Sequence, residues 1–157
     1  MLSIKLIEVT DSLRKLFQAS PEAFGRSLGL SVPAAWPEFP NAITAPGIPG
    51  WPFFIFANQD QKSIVGSGGF ICAPDHKGEV QIGYEVAPIF RGRGIASTAM
   101  RKVLSMHHGA RPVAATLAEN DASTSVLRKL GFSSIGTHDL PDGSKIWMWA
   151  KLQGTAG

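Results

Sequence analysis

The order of elements read from the sequence specifies an α/β fold on one mixed sheet, mostly antiparallel with a central parallel pair, and helices on both faces. Three observations carry that reading. Three strand-like runs, "FFIFA", "SIVGSGGFIC" and "EVQIGYEV", are separated only by the turn compositions "NQDQK" and "APDHKG", and such short turns join antiparallel neighbours. The next apolar run has helical spacing and leads to "VAATLAE", so the two flanking strands are connected by a crossover and lie parallel, with right-handed connection expected. Finally, 157 residues with 44% hydrophobic and 17% charged side chains suit a single packed domain, residues 1–157.

In chain order, "SIKLIEV" (3–9) alternates polar and apolar residues and reads as the first strand. "TDSLRKLFQA" then offers Thr10 as a helix cap, with Leu13, Leu16 and Phe17 at helical spacing. A second short helix follows in "SPEAFGRSLGL", capped by Ser20 with Pro21 in its first position. Between 32 and 52 the prolines are too frequent for long regular elements. That segment still holds Trp36, Phe39, Ile43 and Trp51, which makes it a packed cover rather than a linker. After the three antiparallel strands, Ile95, Ala96, Ala99, Met100, Val103 and Leu104 mark a helix that Gly109 would terminate. "NDASTSVLRKLG" gives the last helix, capped by Asn120 or Asp121 and stopped by Gly131, with Val126, Leu127 and Leu130 inward. Two strands around "LPDG" complete the pattern, with Trp147 and Trp149 on one face.

Composition narrows the function. A net charge of +3 favours anionic ligands but is too small to argue for nucleic acid. A single cysteine, Cys72, excludes an internal disulfide and a cysteine-based zinc site, and fits a reducing, cytoplasmic setting. Four scattered histidines offer no metal-ligand spacing, and His107 and His108 are expected to face solvent or a helix dipole. "MLSIKLIEVT" does not read as a secretory signal, and no run approaches the roughly 18 apolar residues of a membrane span.

The chemistry is concentrated in "APIFRGRGIAS", at a strand–loop–helix junction. Unpaired amides at a helix start converge on one point, and the helix dipole adds partial positive charge there. Gly92 and Gly94 let successive amides curl around an anion, while Arg91 and Arg93 supply fixed charge beside it. A phosphate-bearing ligand is the expectation. No lysine–serine or lysine–threonine pair follows the second glycine, so this is not a nucleoside-triphosphate loop. The dinucleotide fingerprint fails as well, because Ser97 stands where its third glycine belongs.

The spacing Arg91-x-x-Gly94-x-Ala96 resembles the acyl-coenzyme A loop of the GNAT family of N-acetyltransferases, Gln/Arg-x-x-Gly-x-Gly/Ala. "IGYEVAPIFRGRGIAS" and "TLAENDASTSVLRKLGF" are similar, in order and separation, to the two signatures of its ribosomal-protein-acetyltransferase-like branch. The second is carried by Glu119, Asn120, Ser123, Val126, Leu127, Lys129, Gly131 and Phe132, and the resemblance covers roughly 63–151. It implies the family's acyl-CoA N-acyltransferase fold, with the parallel pair splayed to admit coenzyme A. It also implies acetyl-CoA as co-substrate without a metal, and direct attack by a primary amine in a ternary complex. Residues 1–52 would form the first strand and acceptor-side cover, and 53–152 the coenzyme-binding core. The amides of Gly92, Arg93, Gly94, Ile95, Ala96 and Ser97, beside Arg91, would hold the pyrophosphate. The backbone of Val86 and Ala87 would pair with the pantetheine arm, and an amide near Val86 would polarise the thioester oxygen. Asn120 would reach coenzyme from the end of the next strand, alongside its role as a helix cap.

The proton chemistry departs from the branch. Its strand often reads Glu-Ile-Gly-Tyr, but Gln81 occupies the glutamate's place and cannot take a proton. Strand alternation puts Glu79, Gln81, Gly83 and Glu85 on one face, with Val80, Ile82, Tyr84 and Val86 on the other. Glu85 is the first candidate base and Glu79 the second, against a reading of each, and of Glu79 more than Glu85, as a solvated strand carboxylate. At pH 7 an α-amine is roughly one-tenth neutral and a lysine only about 0.04%, so a terminal amine demands less of a base. The family's helix-borne tyrosine, which protonates the leaving thiolate, has no counterpart here. Ser123 is the remaining candidate for that task, against a simple helix-end hydrogen bond, and Tyr84 reads as strand or core. The acceptor, a small-molecule amine or a peptide or protein N-terminus, is expected between the 21–52 cover and the sheet, against Trp36 and Phe39.

Two other readings stand beside this one. Gln81 and the missing tyrosine suit an acyl-CoA-binding sensor that has lost the chemistry. A nucleic-acid contact through "RGRG" is disfavoured, because the aromatics follow core periodicity. A homodimer through sheet edges or the last strands is compatible with the sequence, which does not determine it.

Overall fold

The computed structural model describes residues 3–106, 109–119 and 121–151. Among them the strands form one sheet in the order β1-β2-β3-β4-β5-β7-β6. These are β1 (Ile4–Glu8), β2 (Phe53–Asn58), β3 (Ser63–Phe70), β4 (Glu79–Val86), β5 (Arg111–Leu117), β6 (Phe132–Asp139) and β7 (Lys145–Lys151). Every neighbouring pair is antiparallel except β4 and β5, the parallel pair that the crossover requires.

The helices are α1 (Asp11–Ala19), α2 (Pro21–Leu28), α3 (Asn41–Thr44), α4 (Ile95–Ser105) and α5 (Ala122–Lys129). Local chemistry sets their starts. The Thr10 and Ser20 side chains accept the amides of Leu13 and Ala23, and Pro21 fills the first position of α2. Of the two caps considered for α5, Asp121 performs the role: its carboxylate accepts the Thr124 amide, and Thr124 accepts the Asp121 amide in return.

Three expectations are corrected. α4 ends at Ser105 rather than running to Gly109, because its last turn tightens and the Met106 amide reaches back to the Val103 carbonyl at 3.2 Å. The crossover strand starts two residues before Val113, since the Arg111 amide already pairs with the Gly78 carbonyl. Within the proline-rich cover a single helical turn, α3, escapes the prolines that flank it at 40 and 46. The reading for His107 and His108 lies outside the described residues.

The sheet is covered on both faces where it matters. Every residue of β3 is buried. α4 contributes Ile95, Ala99, Met100 and Val103 to the core and packs on β1, β3 and β4. The Lys102 ammonium anchors it further by donating to the Ile4 carbonyl. The other cover is built from α1, α2 and the following loop, where Phe17 meets Phe24 and Trp36 edge to face.

Candidate active site

The site begins with a failure of pairing. β4 and β5 share a ladder only over Glu79↔Arg111, Val80↔Pro112 and Gln81↔Val113, after which they part. β4 continues to Val86 against β3 alone, and β5 continues to Leu117 against β7 alone. The parting opens a cleft of about 960 Å³, walled by Ile82–Val86 on one side and Ala114–Leu117 on the other, and floored by α5. Alternation along β4 directs Glu85 and Ala87 main-chain groups to β3, so those of Tyr84 and Val86 point to the open side.

At the head of the cleft, the chain leaves β4 through a 3₁₀ turn, Pro88–Phe90, and enters α4. Gly92 and Gly94 have φ of 79° and 76°, a left-handed conformation that costs other residues energy. The Thr98 amide is the first of the helix to find an acceptor, at Gly94. Among the described residues, the amides of Gly92, Arg93, Gly94, Ile95, Ala96 and Ser97 meet no protein acceptor. Six free donors at a helix start, five of them on residues that line the cleft, fit a diphosphate. The Ser97 hydroxyl donates to the Gly94 carbonyl and closes the turn. Arg91 donates through Nε to the Val86 carbonyl at 3.2 Å and lies 3.8 Å from the Glu38 carboxylate; Arg93 stacks over Phe90. Ala87 does not fit its expected role: it is buried, its amide donates to the Val65 carbonyl and its own carbonyl accepts the Phe90 amide, so the turn into Pro88–Phe90 uses both main-chain groups expected to pair with a ligand.

The remaining candidates separate. Glu85 lines the cleft, and its two carboxylate oxygens accept the amides of Glu38 and Phe39 at 2.8 and 2.9 Å. Ser123 lines the cleft from its floor, in the first turn of α5. Phe39 is 59% exposed at the cleft rim. Two further residues do not fit the places expected for them. Glu79 sits at the far end of β4, 3.6 Å from Arg111 and about 20 Å of strand from Glu85, outside the cleft. Trp36 is 5% exposed; its indole donates to Ser67 and packs on Phe17, so burial of a large ring in the core has won over any role at the rim. Asn120 lies outside the described residues.

One contact at the cleft escaped the sequence reading. The Tyr84 hydroxyl crosses the cleft and donates to the Ser123 carbonyl at 2.7 Å. Burial, reinforced by the Asp121 carboxylate, pushes the phenol above the usual tyrosine range, so it stays protonated. Gly68 opposite makes room, since a Cβ there would lie 2.8 Å from that of Tyr84. That the chain's one tyrosine alternates with core residues hid it, because alternation reports a face and not a cleft. Among the described residues no group of three histidine, cysteine, aspartate or glutamate side chains could hold a metal ion. No helix among them is long and apolar enough to cross a membrane.

The chain is similar to known proteins. The uncharacterized N-acetyltransferase YoaA of Bacillus subtilis is 33% identical over 82 residues, 50% of this chain and 46% of that protein. The chain spans about half the length of the curated relatives it matches. RimL, a ribosomal L7/L12 α-N-protein acetyltransferase solved in complex with coenzyme A, superposes with a TM-score of 0.67 at 18% identity, over 97% of this chain and 96% of its own. MccE, a microcin C7 self-immunity acetyltransferase solved with acetyl-CoA and AMP, gives 0.63 at 20% identity over 95% and 92%. At such identities the likeness speaks for the fold alone. The family itself rests on the sequence model described as an acetyltransferase (GNAT) domain, which matches residues 11–133 and so spans the cover, the loop and both walls of the cleft: the chain belongs to the GNAT acetyltransferase family.

Proposed function

We propose that the chain is an acetyl-CoA-dependent N-acetyltransferase of the ribosomal-protein-acetyltransferase-like kind, acting in the cytoplasm on a primary amine, with N-terminal α-amines the favoured acceptors. One observation carries it: six unpaired amides, Gly92 to Ser97, stand at the head of a cleft made by two strands that part. The loop binds the diphosphate, and the edge of β4 turned away from β3, at Tyr84 and the Val86 amide, takes the pantetheine arm, while the Val86 carbonyl is held by Arg91 Nε. The Val86 amide donates to the thioester oxygen as negative charge develops there. The amine nitrogen attacks the carbonyl carbon, a C–N bond forms, the C–S bond breaks, and coenzyme A departs as thiolate. Ser123, with Tyr84 beside it, lies on the floor where a hydroxyl would meet that sulfur. The amine's surplus proton leaves to solvent water. The acceptor enters between the cover, residues 21–52, and the sheet, past Phe39.

The favoured acceptor follows from proton availability. Gln81 lines the cleft where a carboxylate base would be expected, and an α-amine needs the least assistance to be neutral. That RimL and MccE were solved with coenzyme A and acetyl-CoA supports the coenzyme reading. The test sets acetyl-CoA binding by calorimetry beside turnover on short peptides with free N-termini, N-blocked lysine peptides, spermidine and an aminoglycoside. Binding with fastest turnover on the free peptides is expected. Absence of coenzyme binding would overturn the proposal. Gln81 also favours a second reading, a coenzyme-binding sensor, which binding without turnover across the panel would select.

A further inference from the structure

Glu85 lies closer to a structural fastener than to a proton acceptor. β3 and β4 place Ser67 and Glu85 directly opposite one another, so their side chains share a face. The loop 36–39 docks on that pair by three hydrogen bonds. The Trp36 indole donates to the Ser67 hydroxyl at 3.3 Å, and the successive amides of Glu38 and Phe39 donate to the two Glu85 oxygens. An irregular, proline-flanked loop has no ladder of its own for those amides, and a carboxylate with two acceptor oxygens matches two adjacent N–H groups. Phe39 follows at the cleft rim, and its carbonyl accepts the Ala42 amide at the start of α3, so the same anchor sets where α3 begins. Glu38, the residue in between, faces Arg91 of the coenzyme loop at 3.8 Å.

We infer that Glu85 is a positioning residue: with Ser67 it pins residues 36–39 to the catalytic strand and so holds Phe39 as the rim over which the amine acceptor enters. The inference rests on the acetyltransferase reading for its kinetic consequence, but not for its structural one. Losing the carboxylate frees the loop, loosens the acceptor and leaves the coenzyme loop in place. A base would behave differently, since its removal slows the chemical step.

The experiment compares Glu85→Ala and Glu85→Gln in the full chain. Gln keeps one acceptor oxygen of the two, so it should fall between wild type and Ala. In Glu85→Ala, amide hydrogen exchange at Glu38 and Phe39 is expected to accelerate at least tenfold, with acetyl-CoA affinity within about twofold of wild type; that affinity also shows that the variant has folded. Unchanged exchange at both amides would overturn the inference, with or without any turnover. On the free N-terminal peptide as acceptor, its KM should rise about tenfold or more while kcat stays within about threefold and the acid limb of the pH profile survives. A roughly hundredfold or larger drop in turnover rate, with unchanged acceptor KM and loss of the acid limb, would make Glu85 a base and sink the positioning role. If the wild-type protein binds coenzyme but turns over no peptide, the acetyltransferase reading fails and the exchange result alone decides this one.

Discussion

Tyr84 shows how one side chain is altered by its neighbours. Its hydroxyl is buried against the Ser123 carbonyl with Asp121 nearby, and both effects oppose the phenolate. The folded phenol therefore holds its proton above the ordinary tyrosine value of about 10, while the unfolded one does not. Its contribution to stability is complete below about pH 10 and is lost as pH rises through the folded value. Thermal melts of the wild type should fall from pH 10 upward, and those of Tyr84→Phe should fall less; parallel curves would contradict this. Gly94 makes the complementary point about backbone. At φ 76° a Cβ is penalised by about 1–2 kcal/mol, so Gly94→Ala should lower stability by that amount and weaken coenzyme binding together. A Gly94→Ala protein as stable as wild type would show that the loop can relax, and the argument for curled amides would lose its support.

At the scale of elements, α4 and α5 meet the cleft by their starts and solve the problem of orphan amides in opposite ways. α5 satisfies its own through Asp121 and Thr124. α4 has a glycine instead of a capping side chain and leaves its amides open. Asp121→Ala should cost about 1 kcal/mol in chemical denaturation while changing coenzyme affinity little, because the cap serves the helix and not the ligand. An equal loss in both would place Asp121 in the coenzyme site. How legible these elements were differs by kind. The caps Thr10 and Ser20 and the open start of α4 depend on residues within three or four positions and were readable for that reason, whereas the choice of Asp121 over Asn120 took the folded chain. α3 was missed since one helical turn has no periodicity to detect, and the early end of α4 reflects a tightened last turn rather than a breaker residue.

For the whole molecule the decisive feature is that β4 and β5 begin together and then separate. Each keeps its other neighbour, so the sheet stays continuous while its centre opens. A ligand that bridges both walls and the loop must stabilise the folded form. Coenzyme A at 100 times its Kd should raise unfolding free energy by about 2.7 kcal/mol, read as a shift in melting temperature that grows with the logarithm of concentration. No shift at saturating coenzyme would mean that the cleft binds something else.

What the sequence alone determined was whatever short-range backbone chemistry decides: the element order, the parallel crossover, and a helix start with glycines and arginines that suits a diphosphate. Only the folded chain showed that Trp36 is core, that Glu79 is remote, and that Glu85 is already engaged by amides 46 and 47 residues away. The physical reason is that periodicity tells which face a side chain takes, whereas its partner on that face is chosen by packing between segments that no local pattern relates.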